Sequence, residues 1–271
     1  MEAGTDRFLA RCSREVPLAR EEHWLGRTER RGLLLRRIRR LIHFLPRIVA
    51  FRRRKVRGYL FRSRLIRAYL STHRVAKLQL GAAGNLMEGW LNTSLRPRSP
   101  SIVFLDVTEP FPLDDGVFDY ILSEHLIEHL PFNDGRFMLG ECFRVLKAGG
   151  RIRLSTPDLA IVAGLVSQGG EKSASYVKWI ASSFPADVPI GSAAMVVNNL
   201  FYNWGHRFLY DFAALKAALE ETGFTDVTAC EVGVSDDPAL HGVEQHLGTS
   251  DLDEEMSSFE ALVVEATRPR A

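Results

Sequence analysis

Cysteine is scarce. Cys12, Cys142 and Cys230 are the only three in 271 residues, and none forms a CxxC pair. That leaves no thiolate zinc ribbon and no disulfide framework, so a reducing, cytoplasmic setting is the expectation. Long apolar runs are missing too: none approaches the roughly 18 residues that a membrane-spanning helix needs. The opening Met1–Asp6 is polar and acidic, unlike a signal or transit peptide. Acid is absent from one region in particular. Residues 27–77 hold 18 of the 35 Lys and Arg but only one of the 33 acids, Glu29. The net charge of +2 therefore averages a strongly basic segment against an acidic remainder. Parts of a chain with opposite charge rarely do the same job. A hydrophobic content of 46% and a charged content of 25% are ordinary for a soluble domain, and the length suits one α/β domain plus an extension.

The extension is read as residues 1–74. Leu34, Ile38, Leu41, Leu45 and Ile48 recur at spacings of three and four, flanked by Arg36, Arg37, Arg39 and Arg40. This predicts an amphipathic helix, bent at Pro46. A second basic helix is expected after Arg52–Lys55, with Val56, Tyr59, Leu60, Ile66, Tyr69 and Leu70 as its apolar members. Two readings compete evenly. The helices pack on the following domain with a solvated arginine face, or residues 32–70 dock on an anionic membrane surface. Nucleic acid is the weaker third reading, because the stripe is too apolar for a phosphate-contacting arm.

From Lys77 to Asp158 the chain changes character. Short apolar runs at Ala76–Leu80, Trp90–Leu95, Ser101–Leu105, Val117–Leu122 and Arg151–Ser155 read as strands. Several end at residues with chemistry: Gly81-Ala-Ala-Gly84, Asp106, and Ser123-Glu-His125. Strands whose carboxyl ends carry such residues commonly frame a ligand crevice. Glycines after the first strand allow close backbone approach. A short turn of helix is expected before Trp90, a helix over Arg136–Leu146, and a stop at Ala148-Gly-Gly150.

The motifs in this stretch are Leu80-Gly-Ala-Ala-Gly-Asn85, Gly89-Trp-Leu-Asn92, Leu105-Asp106, Phe118-Asp-Tyr-Ile-Leu-Ser-Glu-His125 followed by Glu128-His129, Leu146-Lys-Ala-Gly-Gly150 and Thr156-Pro-Asp158. In order and spacing they resemble the core of class I S-adenosylmethionine-dependent methyltransferases. They are similar in particular to small bacterial members linked to cell-surface polysaccharide synthesis. The resemblance implies a Rossmann-like α/β fold: a seven-stranded sheet with helices on both faces and an antiparallel last strand, spanning residues 75–271. It implies S-adenosylmethionine as cofactor, with Gly81, Ala82, Ala83, Gly84 and Asn85 around the methionine moiety, Asp106 at the adenine amine and Val107 beside the ring. Ser123, Glu124 and His125 would line the cavity where sulfonium and acceptor meet. Two positions depart from the family: Ala83 stands where a second loop glycine is usual, and Ser94 where an acid usually holds the ribose hydroxyls. Serine loses the charge-assisted geometry of a carboxylate.

His125-Leu-Ile-Glu-His129 also matches an H-x-x-E-H zinc pattern. It begins at a strand end inside a methyltransferase frame, so no metal is expected, and Glu128 with His129 reads as a helix-packing pair. The candidates for proton transfer are His125, Glu124 and His206. Residues 159–204 do not fit the minimal fold and read as an inserted helical cap. It returns through Tyr202-Asn-Trp-Gly-His-Arg207, where aromatics beside Asn, His and Arg suit a sugar. A helix over Asp211–Thr222, a strand over Phe224–Val232, an acidic loop over Asp236–Glu255 and a last strand over Phe259–Ala266 complete the chain. The favoured function is methyl transfer to an oxygen, less readily a nitrogen, of a glycan or lipid-linked saccharide at the inner membrane face. Methylation of RNA or protein and a non-catalytic scaffold are the alternatives.

Overall fold

The computed structural model describes residues 56, 58–244 and 250–270. These lie in a compact unit that begins at Arg54. The arginine-flanked stripe at 34–49 falls outside the described residues.

Helix α1 (58–72) belongs with the sheet rather than with the extension. Of its expected apolar stripe, Ile66 and Tyr69 are buried in the main core, while Val56 and Leu60 remain exposed. The Tyr69 hydroxyl accepts from the Lys77 N–H (2.8 Å) and lies 2.9 and 3.0 Å from the Lys77 and Gly89 carbonyls. One phenol thus pins α1 to the first strand and to the turn before the second. Gly58 is required by contact: a Cβ there would sit 2.5 Å from the Cβ of Phe104.

The sheet is built from β1 (Lys77–Leu80), β2 (Leu91–Ser94), β3 (Val103–Phe104), β4 (Phe118–Glu124), β5 (Leu146–Pro157), β6 (Thr225–Cys230) and β7 (Ala261–Thr267). Their order is β3-β2-β1-β4-β5-β7-β6. The first five strands are parallel, and β7 runs antiparallel to both β5 and β6. Leu80 pairs with Ser123 and Glu124 with Ser155, so the carboxyl ends of β1, β4 and β5 lie side by side. Strand order reverses between β1 and β4. That switch point is where open α/β sheets hold ligands.

Continuous apolar burial on both faces explains why the central strands read as unbroken hydrophobic runs. Leu78, Ile121, Ile152 and Leu154 are wholly buried, each worth about 1.5–3 kcal/mol relative to exposure. Arg153 is the exception in this layer. It is fully buried in β5, where its guanidinium donates to Glu244, to Glu265 on β7 and to the Glu231 and Val234 carbonyls. A buried charge is tolerated only with such pairing.

The remaining helices are α2 (Phe132–Val145), α3 (Leu159–Ser167), α4 (Glu171–Ser183), α5 (Ala193–Tyr202), α6 (Phe212–Thr222) and α7 (Asp251–Glu260). Asp158, Ser192, Asp211 and Ser250 cap α3, α5, α6 and α7 with side-chain oxygens. Helices α3, α4 and α5 fill the segment 159–204 and share a separate core of Val162, Leu165, Tyr176, Ile180, Val196 and Leu200.

Several sequence expectations need correction. Between β1 and β2 the chain makes turns and no helix, because only about ten residues separate two adjacent parallel strands. Gly149 and Gly150 do not end α2; they lie inside β5, where Gly149 adopts φ +80° and the pairing with β4 shifts register. A Cβ on Gly150 would meet the Asp119 carbonyl at 3.0 Å, so the bulge needs glycine. The acidic stretch at 236–255 contains the start of α7, whose first turn carries Asp251, Asp253 and Glu254 where the helix dipole favours them.

Candidate active site

Two turns meet at the switch point. After β1, Gly81 adopts φ +71°, and a Cβ there would press to 3.2 Å of the Leu126 side chain. Ala82 is buried and donates its N–H to the Thr93 carbonyl (2.8 Å), and Asn85 donates to the Ala82 carbonyl (2.7 Å). Ala83, exposed, takes the left-handed conformation at φ +47°, while Gly84 does not. The displaced glycine therefore does not replace the missing one; Ala83 itself holds the turn, under strain. Gly84 faces the Arg98 guanidinium, 3.8 Å from where a Cβ would stand.

Around this turn lie the other expected cofactor residues. Ser94 is buried at the end of β2 and accepts from the Arg96 N–H (3.1 Å). Asp106 closes a turn after β3, its Oδ1 accepting from the Thr108 N–H (3.1 Å) and hydroxyl (2.7 Å), with Val107 buried beside it. One carboxylate oxygen is thus occupied by capping. Ser123 is buried and its hydroxyl has no hydrogen-bond partner; the same holds for Ser155 on β5 and the side-chain amide oxygen (Oε1) of Gln79 on β1. Orphaned buried polar atoms at neighbouring strand ends are what a polar ligand would satisfy.

After β4 comes the second turn. His125 takes φ +45°, its N–H donating to the Ser155 carbonyl (3.0 Å). A short 3₁₀ turn, Ile127–His129, follows in place of the expected helix. His125 and His129 therefore do not share a helical face as the H-x-x-E-H reading requires. Glu128 and His129 are not a helix-packing pair either. Glu128 is fully buried, with Oε1 3.2 Å from His125 Nδ1 and Oε2 accepting from the Thr156 hydroxyl at 3.2 Å. Its carbonyl accepts from the Arg207 N–H (2.6 Å) and the Phe208 N–H (3.2 Å), docking the segment that carries His206. His206 lies edge-on to His129 with ring centroids 4.9 Å apart.

The electrostatics follow from this burial. Desolvation pushes His125 down, but Glu128, with Glu260 and Glu124 beyond it, more than reverses this, and its pKa is raised. Burial pushes the Glu128 carboxyl up, and His125 and His129 outweigh that to leave it low. His206 is lowered, chiefly by desolvation. Tyr210, buried with an unpartnered hydroxyl, is pushed up to about 12 by burial and by Glu128. Glu260 is raised by burial, and Tyr176 donates to it. Sequence reasoning missed Glu128, Thr156, Tyr210 and Glu260 because their partners lie on separate elements. One signal existed: a glutamate between Ile127 and Leu130, both apolar and buried, in a segment without helical periodicity.

Residues 85–154 match the model of the methyltransferase domain family. With the 3-2-1-4-5-7-6 sheet and its antiparallel β7, that decides the fold. Residues 85–154 carry the likeness to a methyltransferase domain. S-adenosylmethionine is the cofactor of that domain, and the residues present fit it: a glycine-opened turn after β1, orphaned hydroxyl and side-chain amide oxygens at adjacent strands, and a carboxylate-rich β4 end. No curated protein matches the chain. Solved structures align over most of it at low identity. An S-adenosylmethionine-dependent methyltransferase from Archaeoglobus fulgidus is 15% identical, with a TM-score of 0.42 over 78% of this chain and 94% of that one. A possible histamine N-methyltransferase from Thermotoga maritima is 16% identical, with a TM-score of 0.39 over 80% and 96%. A Haloferax volcanii complex of the Trm112 methyltransferase activator with a putative methyltransferase aligns at 14% identity and a TM-score of 0.39, over 79% and 94%.

Proposed function

We propose that this methyltransferase moves a methyl group to an oxygen, less readily a nitrogen, of a glycan or lipid-linked saccharide at the cytoplasmic membrane face. The observation that carries the reading is the His125–Glu128 pair at the end of β4, beside the turn after β1. A buried carboxylate that orients a histidine and raises its basicity makes a general base for a hydroxyl acceptor near neutral pH. When bound, S-adenosylmethionine supplies the electrophilic methyl. Ala82 to Asn85 and Ser94 would hold its methionine and ribose ends, Asp106 and Val107 its adenine, and Ser123 and Glu124 would line the cavity. In-line positioning of donor and acceptor provides much of the rate.

Support for a saccharide comes from the aromatic return of residues 159–204. Trp204 stands edge-on to Phe184 (4.9 Å) and 6.2 Å from His206, with Tyr202 exposed nearby in sequence. Support for a membrane face comes from the basic segment and from Val56, Leu60 and Phe61, exposed on the same stretch as Arg64 and Arg67. Among the described residues no helix is long and apolar enough to cross a membrane, so attachment would be peripheral. The scaffold alternative loses ground, because Ala83 keeps the left-handed turn that glycine would have supplied.

Two assays test this. Transfer of labelled methyl from S-adenosylmethionine to polyprenyl-linked and free saccharides should exceed transfer to RNA or protein; the reverse ranking sinks the acceptor class. Deleting residues 1–53, outside the compact unit, should abolish sedimentation with anionic vesicles. Unchanged sedimentation removes the membrane reading and leaves the chemistry standing.

A further inference from the structure

The H-x-x-E-H pattern fails as a helical zinc motif, yet two of its members meet a third residue from far along the chain. Potential ligand atoms of Glu128, His129 and His206 all lie within 4.8 Å of one another. We propose that these three residues bind a divalent transition-metal ion of the zinc class, through two imidazole nitrogens and one carboxylate.

The fold builds this cluster. The Arg207 and Phe208 amides both bond to the Glu128 carbonyl, which fixes the 205–208 segment against the 3₁₀ turn. Gly205, at φ +83°, makes the bend; a Cβ there would stand 3.8 Å from His129 Nδ1. His206 Nδ1 is buried and has no hydrogen-bond partner. An orphaned buried nitrogen calls for a ligand, water or ion.

Glu128 is prepared in the same way. A carboxylate offers about four acceptor sites. His125 and Thr156 use one on each oxygen, and the Glu128 amide also bonds the carboxylate, so an acceptor site is left for an ion. Those two side-chain partners orient the carboxylate as outer-shell groups orient ligands in metal sites. Metal bonds of about 2.0–2.1 Å to nitrogen and oxygen require the ligand atoms to close by roughly an ångström. His129, exposed at the rim, can supply that movement by a rotamer change. Three protein ligands leave a coordination position for water or an acceptor oxygen, as in open rather than closed sites. Soft thiolates are absent from the set, so two imidazoles and a carboxylate suit zinc, cobalt or iron(II) better than copper(I).

The proposal concerns binding and does not depend on methyl transfer. Untagged full-length protein is titrated with Co²⁺ and followed by visible absorption, then with Zn²⁺ by calorimetry. The wild type is expected to take up one equivalent of each, with Zn²⁺ displacing Co²⁺. His206→Gln and His129→Gln should each abolish stoichiometric uptake, and His125→Gln should weaken it about 10- to 100-fold. Because His129 is exposed, its variant keeps the fold. Substoichiometric uptake by the wild type, or uptake unchanged in His129→Gln and His206→Gln, overturns the site. S-adenosylmethionine binding measured on the same wild-type sample reports separately on the cofactor reading.

Discussion

The turns after β1 and β4 share an unusual feature and differ in everything around it. Each places a non-glycine residue in left-handed backbone, Ala83 at φ +47° and His125 at φ +45°. Such a conformation costs on the order of 1–3 kcal/mol. At His125 the cost is matched by supports: the Ser155 carbonyl holds its amide, Glu128 holds its ring, and Thr156 holds Glu128. Ala83 is exposed and has only its methyl to offer. Strain held in place by a buried network marks a group that must point in one direction. Strain on an exposed alanine marks a turn whose shape is kept although its residue has changed. The β4 turn is therefore the committed, chemical half of the site, and the β1 turn is the tolerant, backbone-built half.

Substitution at each turn sharpens the contrast. His125→Gln should lower methyl transfer about 100- to 10,000-fold, the range for a general base, with S-adenosylmethionine affinity nearly unchanged. An equal loss of both would move His125 from chemistry to binding. Ser94→Asp should tighten S-adenosylmethionine binding about tenfold, because a carboxylate accepts stronger, charge-assisted bonds from ribose hydroxyls; weaker binding would mean that Ser94 does not face the ribose. Ala83→Gly should raise stability by about 1 kcal/mol by relieving left-handed strain, read from urea unfolding midpoints. A loss of stability would show that the Ala83 methyl packs.

The smallest effect is on pH. His125 has a raised pKa in the fold, so its stabilisation is complete below the unfolded value of about 6.5 and lost as pH rises through the folded one. Glu128 is lowered, so its share is present above the ordinary carboxyl range and lost as pH falls through the folded value. Glu124 and Glu260 also act on His125, and His129 on Glu128. Melting temperatures should decline on the alkaline side in the wild type, and that limb should flatten in His125→Gln. An unchanged limb would assign the decline to other groups.

Much of this was legible beforehand. Strand ends at Gly81, Asp106 and Ser123–His125 announce themselves because each apolar run stops at a residue with chemistry, whereas Ser94 stands out only through the resemblance. The antiparallel last strand followed from the family resemblance, and the helical character of 159–204 from periodicity. What escaped depends on contacts distant in sequence. Glu128 looks like a packing residue until Thr156, His125 and the Arg207 amide are seen around it. Glu260 shares the buried cluster only because α7 emerges from an acidic stretch that reads as loop. Helix α1 carries the charge of the extension, and only the burial of Ile66 and Tyr69 assigns it to the sheet.

Cofactor binding decides the account most directly. Calorimetric titration of the full chain with S-adenosylmethionine should show one saturable site, competed by S-adenosylhomocysteine and retained in His125→Gln. Absence of binding up to millimolar cofactor would contradict it, and would leave the turn after β1 as a preserved shape without a ligand.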